Sequence, residues 1–424
     1  MKKILTILMC LPMGVFAQDI NGADTAWIMT SIALVLFMTL PGLALFYGGL
    51  VRTNNILSIL MQCFAITGII SILWFVVGYS IAFSGDNPYF GNFSNVLLTQ
   101  VSINTVNGSI PESLFIMFQM TFAIITPALI IGSYAERMKF SAVLLFSSIW
   151  LLVVYAPITH WVWGGGWLEN VLDYAGGIVV HITAGIAALV AAIVLGPRKD
   201  FFKKPIPPHN MTMTITGAAM LWVGWFGFNG GSALTAGGDA AMAILVTHIS
   251  AATAAITWMF YEWIKFGKPT ALGTVTGMVA GLGTITPASG FVGPTGALVI
   301  GFIAGIVCFN AVIIIKQKFK IDDSLDVFPV HGVGGIIGTL MAGFFASKEL
   351  GIFSGQGGWD HEAIVISDQL QIQFTGVVAT VVYTAVVTYL ILKVVDAITG
   401  LRVSEEEEQQ GLDIVSHEEK GYDL

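Results

Sequence analysis

Asp173 stands eight residues before His181 in "DYAGGIVVH", and Asp323 stands eight before His331 in "DSLDVFPVH". Each histidine lies in an apolar run long enough to cross a bilayer, where ionisable side chains are expensive and mark function by default. An imidazole, with an unperturbed pKa of about 6.5, can accept at one nitrogen while donating from the other. The chemistry that fits is proton handling in a place that rejects charge. The plainer alternative is a buried polar residue satisfied by a neighbouring helix, and two histidines at matching positions weigh against it. Metal binding needs a third and fourth ligand, and the sequence offers none near either ring, so neither a metal nor a cofactor is expected. His248, alone in a later apolar run, reads as a packed residue; His160, His209 and His361 read as solvated.

Aromatic residues accompany the histidines. "WFGFNGGS" puts Trp225, Phe228 and Ser232 at i, i+3 and i+7 on one helical face, and "FQMTF" puts Phe118 and Phe122 at i, i+4. "HWVWGGG" adds Trp161 and Trp163 at the end of another run. Such spacing is more often core packing, and tryptophan at a membrane boundary is an ordinary belt residue. An aromatic face beside a hydroxyl acceptor is also what a small cation needs, through ring-quadrupole attraction and one hydrogen bond.

These residues require long helices to hold them. The chain is 55% hydrophobic and 10% charged, against about 25% charged in an ordinary soluble domain. It therefore reads as an all-α integral membrane protein. With about 20 apolar residues per crossing, eleven spans are expected near 26–47, 57–83, 112–134, 140–160, 175–196, 210–231, 240–264, 270–286, 291–315, 327–347 and 368–396. Arg52, Arg137, Lys139, Arg198, Lys199, Lys203, Lys204, Lys265, Lys268, Lys316, Lys318 and Lys320 fall in alternate loops, which predicts an outside N-terminus and an inside C-terminus.

Spans one to five and six to ten then form two inverted five-helix repeats, a common transporter plan, with an eleventh helix added. In that plan Asp173 and His181 enter from outside, and Asp323 and His331 from inside. Eight residues of regular helix descend about 12 Å, near half of a roughly 30 Å hydrocarbon core. Both rings are thus expected close to the midplane.

"MKKILTILMCLPMGVFAQ" reads as a signal peptide over residues 1–17, followed by a membrane domain over 18–400 and a tail over 401–424. The tail "SEEEEQQGLDIVSHEEKGYDL" is consistent with a solvated end or with a cytoplasmic docking element. Cys10, Cys63 and Cys308 lie in apolar runs and read as packing residues. Gly277/Gly281, Gly301/Gly305 and Gly334/Gly338 read as helix contacts. No nucleophile–base set or phosphate-cradling loop is present, so an enzyme is not expected. A carbonyl filter of the "TVGYG" kind is missing too, which argues against a potassium or sodium channel. No nucleic-acid partner is expected.

On "ALFYGGLVRTNN", "FQMTFAIITPALIIGSYAER", "HWVWGGG", "DYAGGIVVHITAG", "WFGFNGGSA", "DVFPVHGVGGIIG" and "GLRVSEEEEQQGLD", the chain resembles the ammonium transporter (Amt) family, bacterial type. The resemblance covers nearly everything after the signal peptide. It implies an eleven-span fold, a homotrimer and ammonium or ammonia as cargo, while the signal peptide and the lack of organelle targeting suggest a bacterial inner membrane. Position by position, Phe118, Trp163 and Ser232 match the outer recruitment site, and Phe122 and Phe228 match the stacked phenyl gate. His181 and His331 match the pore histidines, Trp225 a pore-lining aromatic, and Asp173 a structural carboxylate.

The chain differs from the family pattern at Met120 and Thr121, at Pro329, and in a slightly short segment between Trp163 and Asp173. Trp163 and Ser232 favour the Amt branch over the Rhesus-type channels. The tail stretch "EQQGLD" resembles the family's cytoplasmic motif, which implies a PII-type signal protein as a candidate partner. An ammonium sensor signalling through the tail is the alternative reading.

Overall fold

Eleven helices long and apolar enough to cross a membrane run through the protein, in a computed structural model that describes residues 20–355 and 364–423. The spans are Gly22–Leu50, Thr53–Phe83, Glu112–Tyr134, Phe140–Trp163, Gly177–Leu195, Met211–Gly231, Gly238–Phe266, Ala271–Ala288, Pro294–Lys318, Phe328–Phe345 and Ile366–Thr399. They match the expected eleven, and the chain is a multi-pass, all-α membrane protein. A two-residue hairpin, Val106–Asn107 against Ile110–Pro111, is the one sheet among the described residues. The signal-peptide reading, Cys10 and His361 lie outside the described residues.

Small residues let the spans approach closely. Span seven packs against spans eight and nine, which also touch each other. A side chain at Gly277 or Gly281 would strike Trp258 or Ala254, and one at Gly301 or Gly305 would strike Ser250 or Thr257. Gly334 and Gly338 meet Thr284 of span eight. Cys63 and Cys308 are buried and free, in keeping with packing roles.

Arg52, Arg137, Arg198, Lys265, Lys316 and Arg402 all lie at or beside span ends on one side of the bundle, the side that the basic loops predict to be the inner one. There the tail is folded. Ser404 starts a short helix, Glu405–Gln410, with a reciprocal capping box through Glu407, and Leu412–His417 follows. Asp413 accepts the Ser58 N–H at 2.8 Å and Asn55 accepts the Leu412 N–H at 2.8 Å, which fixes the tail to the head of span two. The tail is thus folded against the membrane domain, unlike the solvated end that composition also suggested.

The descent to the histidines differs from the regular helix expected. Residues 173–176 are not helical, and span five starts with a π-helical turn, Gly177–Ile182. Span ten starts the same way, with Phe328–Val333. The cause is local. Gly176 takes φ +114, open to glycine without strain, and Asp326 takes φ +62, so each chain turns sharply just before its helix begins. His181 is the fifth residue of its helix and His331 the fourth. Pro329 sits in the first turn of span ten, where its missing N–H leaves no helical bond broken.

Candidate functional site

Asp173 builds the head of span five. Its Oδ1 accepts the N–H groups of Gly176 and Gly177, and its Oδ2 those of Ile178 and Val179. Helix heads leave such donors unsatisfied, and a carboxylate there is favoured by the helix dipole as well. Burial pushes the Asp173 carboxyl up, and the four N–H groups hold that rise in check. Its backbone carbonyl accepts the Trp163 indole N–H at 2.8 Å, so the same residue aims the tryptophan.

Trp163, Phe118, Phe122, Ser232 and Asp173 line one outer cavity of about 450 Å³. Ser232 donates its hydroxyl to Phe228 O at 2.9 Å, which leaves the oxygen lone pairs as acceptors. Phe118 and Phe122 pack edge to face at 5.0 Å, and Phe122 meets Trp163 at 6.0 Å with rings 85° apart. Phe122, which lines the cavity, stacks at 4.1 Å on Phe228, and each ring is 1% exposed.

The histidines lie beyond that stack. Phe228 is 6.2 Å from the His181 ring, which stacks on Trp225 at 5.5 Å and 13°. His181 and His331 are both buried and nearly coplanar, with centroids 5.2 Å apart at 14° and Nδ1 atoms 3.1 Å apart. One Nδ1 must carry hydrogen and the other must accept it, so the two rings hold complementary tautomers. The Nε2 of His181 is buried without a hydrogen-bond partner. His331 also lines a second, inner cavity of about 270 Å³ that opens among the basic loops. The order is therefore outer cavity, phenyl stack, imidazole pair, inner cavity.

The nine candidate residues from the sequence come together in this column. Trp161 does not join them. It packs on Trp167 and Tyr383 and donates to Tyr89 O. His160, expected in solvent, is fully buried, because the Ala82 and Asn87 carbonyls fold over its two nitrogens at 3.0 and 2.6 Å. His209 is partly buried between Val51 O and the Tyr422 hydroxyl. His248 faces outward beside Trp222 and Phe226 and is not packed in the core.

Several residues of the column carry no sequence signal. Thr286 accepts the Trp225 indole N–H at 2.8 Å and so orients that ring. An added carbon at Gly283 would lie 3.8 Å from both imidazoles, so glycine keeps that wall open. Gly185 of span five and Gly332 of span ten touch backbone to backbone beside the pair. Gln119 lines the outer cavity and Tyr47 the inner one. No cluster of three or more metal-ligating side chains occurs among the described residues.

Residues 26–422 match the model of the Ammonium Transporter Family. A putative ammonium transporter of Methanothermobacter thermautotrophicus is 48% identical over 412 residues, covering 96% of this chain and 99% of the relative. The ammonium transporter of Bacillus subtilis is 46% identical over 403 residues, covering 94% and 98%. Among solved structures, one titled "Sensor Amt Protein" has a TM-score of 0.85 at 30% identity, covering 93% of this chain and 98% of that one. Saccharomyces cerevisiae Mep2 has a TM-score of 0.81 at 36% identity, covering 92% and 89%.

Proposed function

The chain belongs to the ammonium transporter family, and from that premise we propose that it recruits ammonium in the outer cavity, strips a proton there, and passes ammonia between the two histidines. Ammonium transport itself follows from the family and from relatives of 46% and 48% identity named for it. The mechanism is the further step, and energetics explain why the proton must come off. Moving an intact ion of this size into a low-dielectric interior costs on the order of 20 kcal/mol in the idealised Born limit. Taking a proton from an amine like that of lysine at pH 7 costs roughly 5 kcal/mol, from about 3.4 pKa units at 1.36 kcal/mol each. Potassium has no proton to lose and must meet the full desolvation cost.

In this reading Trp163 and Phe118 offer ring faces to the cation, and Ser232 accepts one N–H. Phe122 and Phe228 exclude water and must part for a neutral guest. His181 and His331 then exchange hydrogen bonds with ammonia and carry the separated proton through their shared Nδ1 contact. The observation that carries the proposal is the 3.1 Å imidazole pair, sealed from the outer cavity by stacked phenyls and open to the inner one. Assembly as a homotrimer, and a PII-type regulator meeting the inner face beside the folded tail, belong to the same reading. A sensor working through that tail is the lesser alternative, disfavoured by the names of the 46–48% identical relatives.

The test is current against ammonium flux in one vesicle preparation. Wild type is expected to move close to one charge per nitrogen and to exclude potassium. His181→Ala and His331→Ala are expected to lose that current by at least tenfold. Wild-type currents with unchanged selectivity in both variants would overturn the proposal.

A further inference from the structure

Asp173 and Asp323 occupy matching places at the heads of spans five and ten, yet they are held differently. Both oxygens of Asp173 are saturated by backbone donors. Asp323 is buried too, at 0% exposure, with its Oδ2 accepting the Phe328 N–H at 2.7 Å and the Val327 N–H also turned toward the carboxylate. Its Oδ1 is buried without a hydrogen-bond partner. A buried carboxylate oxygen with no donor is costly, and taking up a proton is the ordinary escape.

The neighbours of Asp323 point the same way. Asp326, three residues on, lines the inner cavity together with His331 and Tyr47. Its backbone is held at φ +62, in the left-handed region that non-glycine residues rarely occupy and that gathers at functional sites. Lys316, at the end of span nine, pairs with Asp326 at 2.7 Å. The other charged or titratable groups facing Asp323 are Arg137 from the loop after span three and Tyr47 from span one. Asp322 turns away to Arg198, at 2.9 Å. Burial first, and the charge of Asp326 second, push the Asp323 carboxyl up to about 7.

We propose that Asp323 and Asp326 form an inner proton-exchange pair, with Asp326 meeting the cavity and Asp323 behind it as the positioning residue that keeps one proton on the pair. The proposal rests on the deprotonation reading above and supplies its missing end. Ammonia reaching the inner cavity takes the proton from Asp326: an O–H bond breaks, an N–H bond forms, and ammonium leaves toward the inner solution. The pair, now a dianion, recovers a proton from the histidine side across the cavity that Asp326 and His331 both line. The negative charge of Asp326 opposes ionisation of Asp323.

The test uses full-length protein in vesicles with the inner-side pH stepped from 6 to 8, together with infrared difference spectra of carboxyl-labelled aspartate. Wild type is expected to show an aspartic acid band that disappears with a midpoint near 7, and a current that depends on inner pH over the same range. Asp323→Asn keeps a side-chain oxygen that can accept the Phe328 N–H. It should abolish the band, flatten the pH dependence and cut the current at inner pH 7 at least fivefold. Asp326→Asn should cut the current likewise but leave an aspartic acid band from the buried Asp323 with a lowered midpoint, and Asp323→Glu should keep part of the dependence.

Asp323 ionised throughout pH 5 to 8, or Asp323→Asn with the wild-type pH profile, would overturn the proposal. The spectrum of the wild type decides even if a variant fails to fold. A wild type that moves no charge per nitrogen would instead sink the proton-carrying step of the reading above, whereas the carboxyl band reports on the aspartate pair alone.

Discussion

Trp163 and Ser232 are the residues from which the first prediction comes, since one offers a π face and the other a lone pair to the same cavity. A cation–π contact contributes about 0.5–2 kcal/mol and a hydrogen bond about 0.5–1.5 kcal/mol. Replacing both, Trp163→Leu with Ser232→Ala, should raise the methylammonium concentration for half-maximal uptake by about ten- to hundredfold. The maximal rate should change far less, and uptake curves over a wide concentration range read the two apart. Equal curves would make these side chains packing. These residues, and the two histidines, were legible because ionisable and paired aromatic side chains stand out in an apolar sequence. Gly283, Thr286 and Gln119 were not, because a missing side chain, a hydroxyl and an amide acquire meaning only from what other spans bring against them. His160 was misread for the same reason. Closeness to a span end says nothing of the two carbonyls that fold over its ring.

At the scale of elements, the approach of spans five and ten decides whether the imidazoles meet. A side chain carbon at Gly185 would collide with the Cα and N of Gly332, one residue past His331, and backbone atoms cannot rotate out of the way. Gly185→Ala should therefore push the two spans apart, lose the Nδ1 contact and abolish current. Overpacking of this kind costs about 1–3 kcal/mol, so a lower unfolding temperature in detergent should accompany the lost current. An alanine variant with wild-type current would show that the contact tolerates more separation than proposed. The count and approximate ends of the spans could be read from apolar length and the alternation of basic loops. The π turns could not. They follow from how Asp173 and the left-handed Asp326 start their helices, and Asp–His spacing alone suggested a regular helix. The Asp323 carboxyl adds a second prediction at this scale. Its pKa is raised from 3.8 to about 7 on folding, so the folded chain binds the extra proton and the stability this group contributes is fully present below pH 3.8. Stability falls as pH climbs through that window to about 7. Asp323→Asn should remove this slope from unfolding temperatures measured between pH 5 and 8, and an unchanged slope would assign it elsewhere.

Across the whole molecule, the inner end is held by a layer of charge that joins loops far apart in sequence to the tail. Arg198 bridges Asp322 at 2.9 Å and Glu136 at 3.1 Å, Glu136 also takes Arg52 at 3.1 Å, and Glu408 of the tail takes Arg402 at 2.7 Å. Glu408 further accepts the Lys199 N–H at 2.8 Å, so the acidic run is a strap across the loop after span five. The two carboxylates are equally buried, at 1% exposure, but their partners are not. The Arg198 side chain is 8% exposed, whereas Arg52 and Arg402 are 24% and 28% exposed. Removing one member of a buried pair costs about 3–5 kcal/mol, because the abandoned charge stays out of water. Partly exposed arginines turn to solvent instead and lose closer to 1 kcal/mol. Glu136→Ala should thus depress the unfolding temperature several times more than Glu408→Ala, both measured in the same detergent at pH 7. Glu408→Ala should instead free the strap, making the chain near Gly411 cleavable by a protease that leaves the wild type intact. If the two substitutions destabilise equally and neither exposes the tail, the strap is not a separable part of the fold but one more piece of its core.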